Sequence, residues 1–162
     1  MRKSLTYKVL AAVMALSAAN WAVPADVLAG VDTDGNYIVT DDGEIVIGDS
    51  TNPYNNVYGN GHSFTINGGT IDGDVFGVGN KDYDKDASGG NVTINGNAEV
   101  TGYVYGGSSD YSNTYYNTVN IRDGSVEGYV FGGWSTSGEA YNNTVNISDG
   151  TVTGYVYGGC SN

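Results

Sequence analysis

One cysteine, one histidine and six lysines or arginines are all that 162 residues contain. Each shortage closes off a class of protein. With Cys160 alone no internal disulfide can form, so an exported chain of this size must be held together by its backbone ladders. His62, with no second histidine, cannot build an ordinary zinc site, and a loop position is expected for it. Six cationic against 18 acidic side chains give a formal net charge of −12. Such a surface repels phosphate backbones and anionic headgroups, so nucleic acid is not expected as a partner and docking on anionic lipid is disfavoured.

Long apolar runs are scarce as well. The one extended stretch, Val9 to Val23, follows a cationic start at Arg2, Lys3 and Lys8 and precedes small residues at Val27 and Ala29. That order is the pattern of a secretory signal peptide, and the run is short for a membrane-spanning helix. Residues 1–29 are therefore read as a signal peptide cleaved after Ala29, with Ala25 as the alternative. No membrane insertion by the chain beyond residues 1–29 is expected. Removing the signal peptide takes away Arg2, Lys3, Lys8 and Asp26, so Lys81, Lys85 and Arg122 remain and the charge moves from −12 to −14.

Glycine, by contrast, is abundant, with 26 residues, and the chain repeats itself. Asn117-Thr-Val-Asn-Ile-Arg-Asp-Gly-Ser-Val-Glu-Gly-Tyr-Val-Phe-Gly-Gly133 returns as Asn143-Thr-Val-Asn-Ile-Ser-Asp-Gly-Thr-Val-Thr-Gly-Tyr-Val-Tyr-Gly-Gly159. Weaker copies span 91–107, with one extra residue in the turn, and 63–78, with Asp74 in place of Tyr and Val78 in place of Gly. A unit this small cannot bury a core alone and is stable only by stacking on its neighbours. Residues 30–62 are read as an N-terminal cap or degenerate first coil, with Ile38–Ile45 as either a worn copy or a capping hairpin. Residues 63–162 form the repeat array.

Within each copy apolar residues alternate at period two, as in Val119 and Ile121 around Asn120, which marks a strand with one buried face. Asp123-Gly124 and Asp149-Gly150 then read as turns, because glycine takes positive φ cheaply. A second strand is predicted over Ser125–Phe131, with Val126, Gly128 and Val130 on one face and Glu127, Tyr129 and Phe131 on the other. Gly-Gly is expected to end it, and a polar, variable loop leads to the next copy. Identical strands stacked in register line up like side chains, which accounts for the same positions repeating as Val104, Val130 and Val156 above Val75. A propeller blade needs about 40 residues and four strands. The expected fold is all-β, a parallel β-helix (β-solenoid) of about four to five coils, wound right-handed by the general crossover preference. Either the valines or the aromatics could line its interior.

The phrase N-T-V-N-I-x-D-G-x-V-x-G-Y-V-[FY]-G-G behind a signal peptide resembles the repeats in passenger regions of bacterial autotransporters, the type V secreted surface proteins. The resemblance covers residues 63–162. It implies export to the periplasm, passage through the outer membrane and display at the cell surface, or release from it. The family's C-terminal membrane β-barrel has no counterpart here, so anchoring is implied only for a longer parent protein, of which this chain is expected to be an N-terminal fragment.

Candidate chemistry is sparse. Asp82-Tyr-Asp-Lys-Asp86 spaces carboxylates like the first ligands of a calcium loop, but Ala87 stands where glycine and Thr93 where a bidentate glutamate is needed. Asp32-Thr-Asp34-Gly-Asn36 reads as a turn. Asp72 and Asp74, two apart on one strand, would share a face as the carboxylate pairs of polysaccharide-cleaving β-helix enzymes do, yet no cation recurs nearby to clamp substrate. No catalytic, cofactor-binding or metal residue is assigned, and no enzyme activity is expected. The candidate contact surface is an aromatic ladder of Tyr103, Tyr105, Tyr129, Phe131, Tyr155 and Tyr157. The expected role is structural and adhesive, with host or bacterial surface glycans or proteins as partners and self-association at the open last coil. A polysaccharide-degrading enzyme and a plain spacer stalk are the alternatives. Asp at Val130 is expected to bury an unpaired charge and cost several kcal/mol, whereas Asp at Ser135, assigned to the loop, is expected to stay within about 0.5 kcal/mol of neutral.

Overall fold

The computed structural model describes residues 30–45, 53–79 and 84–162. The signal-peptide reading of residues 1–29, and Lys81 and Asp82 of the acidic loop, lie outside the described residues. In chain order the strands are β1 (Tyr37–Ile38), β2 (Gly43–Ile45), β3 (Val57–Tyr58), β4 (Ser63–Asn67), β5 (Thr70–Ile71), β6 (Val75–Gly79), β7 (Ala87–Ser88), β8 (Asn91–Asn95) and β9 (Ala98–Val100). They continue as β10 (Val104–Ser109), β11 (Thr114–Tyr115), β12 (Thr118–Ile121), β13 (Gly124–Val126), β14 (Val130–Ser135), β15 (Ala140–Tyr141), β16 (Thr144–Ile147), β17 (Thr151–Val152) and β18 (Val156–Ser161). Among the described residues there is no helix.

These strands assemble into four parallel sheets, each taking one strand from successive coils. The orders are β1-β3-β6-β10-β14-β18, β2-β4-β8-β12-β16, β5-β9-β13-β17 and β7-β11-β15. The chain is thus an all-β solenoid of about four turns, as its periodicity implies. Register is strict: Val104 pairs with Val75 and Val130, and Val130 with Val156, while Ile121 pairs with Ile94 and Ile147. The segment Ile38–Ile45 contributes β1 to the six-stranded sheet and β2, parallel on β4, to the five-stranded one.

The interior is lined by the apolar columns. Ile66, Ile94 and Ile121, Val100 and Val126, and Val75, Val104 and Val130 are all fully or almost fully buried. In the repeats the valines therefore face in and the aromatics of the Tyr-Val-Phe/Tyr motif face out, while Phe64 joins the core of the first copy. Each buried Val or Ile contributes about 1.5–3 kcal/mol relative to exposure, so the columns supply most of the drive to stack.

Four details differ from the sequence expectations. The second strand over Ser125–Phe131 is really two, β13 and β14, with a corner at Glu127–Tyr129. A Cβ on Gly128 would strike the Gly102 carbonyl and the Tyr103 ring, so the coils touch there and only glycine fits. The loop between copies carries a further short strand, represented by β7, β11 and β15. Gly124 and Gly150 do not adopt positive φ; a Cβ on Gly124 would press on Ile94 and on the Ala98 carbonyl, so closeness, not handedness, selects glycine. Positive φ appears instead at Gly96 and Asn97, in the copy whose turn is one residue longer.

The fourth difference concerns Gly132-Gly133. This pair does not end the strand, because β14 runs on to Ser135. Cβ atoms built on Gly132 and on Gly133 would both collide with Asn143, so two consecutive residues face the same way and the in–out alternation slips by one. Trp134 consequently lies outside against Phe131, with ring centroids 5.1 Å apart. Ser135 lies inside, wholly buried. Its hydroxyl donates to the Ser112 carbonyl at 2.8 Å and accepts from the Gly138 N–H at 2.7 Å. The expectation that Ser135 sits in a tolerant loop is therefore wrong, and Cys160, the ladder partner of Trp134, lies within β18.

Candidate functional site

Parallel, in-register pairing sets like side chains one strand spacing apart, which brings rings of successive coils into contact. On the outer face of the six-stranded sheet Tyr58, Phe76, Tyr105, Phe131 and Tyr157 form one continuous stack. Successive centroids lie 5.4, 5.0, 5.1 and 5.2 Å apart, with interplanar angles of 9° or less. Beside it runs a second column, Tyr103–Tyr129–Tyr155, with centroids 5.2 Å apart and rings tilted by 32° and 57°. The columns meet edge to face at 6.2–6.3 Å. All six aromatics expected to form a ladder are thus brought together.

Their exposures differ. Phe131 is only 5 % exposed between its neighbours, whereas Tyr103, Tyr129 and Tyr155 are 40 %, 37 % and 65 % exposed. A groove of about 420 Å³ is bordered by both columns together with Trp134, Cys160 and Asn162. Burial, and then the nearby Asp74 carboxylate and Tyr103, push the Tyr105 phenol well above the usual tyrosine range. In the stacked column each ring face is covered by the next ring, so outward contact falls to ring edges and phenol hydroxyls. That geometry suits hydrogen bonding and edge packing better than stacking of a sugar face on a ring.

Sequence reasoning missed Tyr58, Phe76 and Trp134. Phe76 stands at the aromatic position of the 63–78 copy and could have been found there; Trp134 could not, because its outward position depends on the Gly132-Gly133 slip. A third column, Tyr115 stacked on Tyr141 at 5.2 Å and 8°, lies on the three-stranded sheet and was also missed.

The acidic candidates serve the coil itself. Asp72 and Asp74 are not on a strand but in the turn between β5 and β6, so they do not share a strand face. Asp74 Oδ1 accepts the Tyr103 N–H at 2.7 Å and the Asp74 N–H donates to Asn56 Oδ1 at 2.8 Å, bracketing three coils. Asp86 Oδ1 accepts the Asn113 N–H at 3.0 Å, again from the next coil, and Ala87 is buried in β7. Asp32 folds a turn on itself, accepting from the N–H groups of Asp34 and Asn36 at 2.9 Å; hydrogen bonds from Asn36 hold its carboxyl below the usual range. His62 Nδ1 lies 3.3 Å from Asp42 Oδ1. Among the described residues no group of three or more His, Cys, Asp or Glu could hold a metal ion, and no helix is long and apolar enough to cross a membrane.

No family model matches this chain, and no curated protein or solved structure shows significant similarity to it.

Proposed function

We propose that the chain is a module of an exported, autotransporter-like surface protein, with a structural and adhesive role. The observation that carries this reading is the exposed strip of Tyr103, Tyr129 and Tyr155 on a regular solenoid face, flanked by the 420 Å³ groove. Exposed phenol edges and hydroxyls repeated at successive corners of the solenoid fit a partner that offers hydrogen-bonding groups at a regular repeat, a surface glycan or an extended protein segment. Self-association belongs to the same reading: Val156 and Ile147 are 43 % and 44 % exposed although their ladder partners Val130 and Ile121 are wholly buried. A further layer of strands would cover them.

The enzyme alternative has less support, since Asp74 is engaged with the Tyr103 backbone. A spacer role is favoured by the unbroken six-stranded sheet. The deciding experiment is binding of the purified chain to cell-surface glycans and proteins, wild type against a Tyr103→Ser, Tyr129→Ser, Tyr155→Ser variant. Binding that disappears in the variant while the fold persists is the expected result. Equal binding by both chains sinks the strip, no binding by either favours the spacer, and cleavage of acidic polysaccharide lost in Asp74→Ala favours the enzyme.

A further inference from the structure

The two aromatic columns differ in one respect that matters for covalent chemistry. In the stacked column tyrosine and phenylalanine alternate, so Phe76 and Phe131 separate its three phenols. The Tyr103–Tyr129–Tyr155 column is uninterrupted tyrosine, each ring centroid 5.2 Å from the next coil's, and all three side chains are open to solvent. Tyr115 and Tyr141 form a second uninterrupted inter-coil pair at the same spacing. A chain with 14 tyrosines and one cysteine has many phenols and no cystine with which to join its coils.

We propose that the Tyr103–Tyr129–Tyr155 column is an oxidative cross-linking site, at which neighbouring coils become joined by dityrosine bonds. Each link forms one carbon–carbon bond between a Cε of one ring and a Cε of the next. One-electron oxidation removes an electron and a proton from each phenol; the two radicals couple, and the ring hydrogens at the new bond shift to restore both hydroxyls. The oxidant is hydrogen peroxide acting through a haem peroxidase, and it takes up the two electrons and two protons to leave as two waters. The tilts of 32° and 57° already turn ring edges toward neighbouring rings, and exposure leaves the side chains free to complete the approach. Tyr37 and Tyr54 also meet at 5.2 Å, but both are partly buried against the core and less open than the column tyrosines.

The test treats the full chain, dilute enough that encounters between molecules are rare, with a haem peroxidase and hydrogen peroxide. Dityrosine fluorescence and mass spectrometry of the digested monomer are the readouts. Links joining Tyr103 to Tyr129 and Tyr129 to Tyr155 are expected. Tyr129→Phe keeps the ring contacts but should lose both links, with the Tyr115–Tyr141 link as an internal standard. Tyr105→Phe should change nothing. The proposal is overturned by links confined to one coil (Tyr103–Tyr105 or Tyr155–Tyr157), by links formed only between molecules, by an unchanged map in Tyr129→Phe, or by the same map from urea-unfolded chain.

Discussion

Thr114 and Asn117 stand three residues apart and show opposite solutions to one problem, a polar group inside a coil. Asn117 is wholly buried and fully used: its amide N–H groups donate to the Ala87 carbonyl and to Asn143 Oδ1 at 2.9 and 3.0 Å, and its Oδ1 accepts the Gly90 N–H at 2.9 Å. Asn143 repeats the bond one coil on, donating to the Thr114 carbonyl at 2.9 Å. Thr114 is equally buried, yet its hydroxyl has no hydrogen-bond partner. An unsatisfied buried hydroxyl costs about 1–3 kcal/mol. Thr114→Val is therefore expected to stabilise the chain by about 1 kcal/mol, read as a higher urea midpoint with an unchanged slope. Its ladder partners Ala87 and Ala140 already do without a hydroxyl.

At the scale of the strand, the ladders decide what a substitution does. Val130 is wholly buried between Val104 and Val156, so Val130→Asp places an unpaired charge in the interior and should cost several kcal/mol. Ser135→Asp should be comparably damaging, because it buries a charge and breaks the bonds to Ser112 and Gly138. Ser137→Asp, exposed two residues further on, should stay within about 0.5 kcal/mol of neutral. Urea unfolding of the three variants separates these outcomes. Sequence alone carried the strand register, since Val, Ile and Tyr recur at fixed positions and stacking is the arrangement that aligns them. It also carried the six-membered aromatic ladder. It did not carry the slip at Gly132-Gly133: two residues without Cβ leave no mark of facing in or out, so the strand was taken to end there and the buried Ser135 was assigned to a loop. The corner at Gly128 was hidden for a related reason, because the contact that demands glycine comes from another coil.

For the molecule as a whole, alkaline pH is the informative variable. The folded state holds the Tyr105 phenol, and more weakly those of Tyr37 and Tyr54, above the ordinary value of 10.0. A raised folded-state pKa means that the native chain keeps protons the unfolded chain has lost. The resulting stability is complete below about pH 10 and is lost as pH climbs beyond it. The urea midpoint should hold steady up to that point and then fall, with late ionisation of part of the tyrosine absorbance, and Tyr105→Phe should soften the decline. A flat alkaline profile would contradict the packing of Tyr105.

The coil-to-coil hydrogen bonds have a mechanical meaning too. Most side-chain brackets between coils join residues 26 to 30 positions apart, from Gly90 to Asn117 and from Asn120 to Asn146, and others span 18 to 23, so each coil is tied chiefly to its immediate neighbours. Tension on the two ends loads these ties in series, not all together, and the outermost coil yields first. A released coil of 26 residues frees roughly 90 Å of extended chain. The solenoid behaves as a ratcheted spool, lengthening in near-equal steps while the coils behind the break keep their shape.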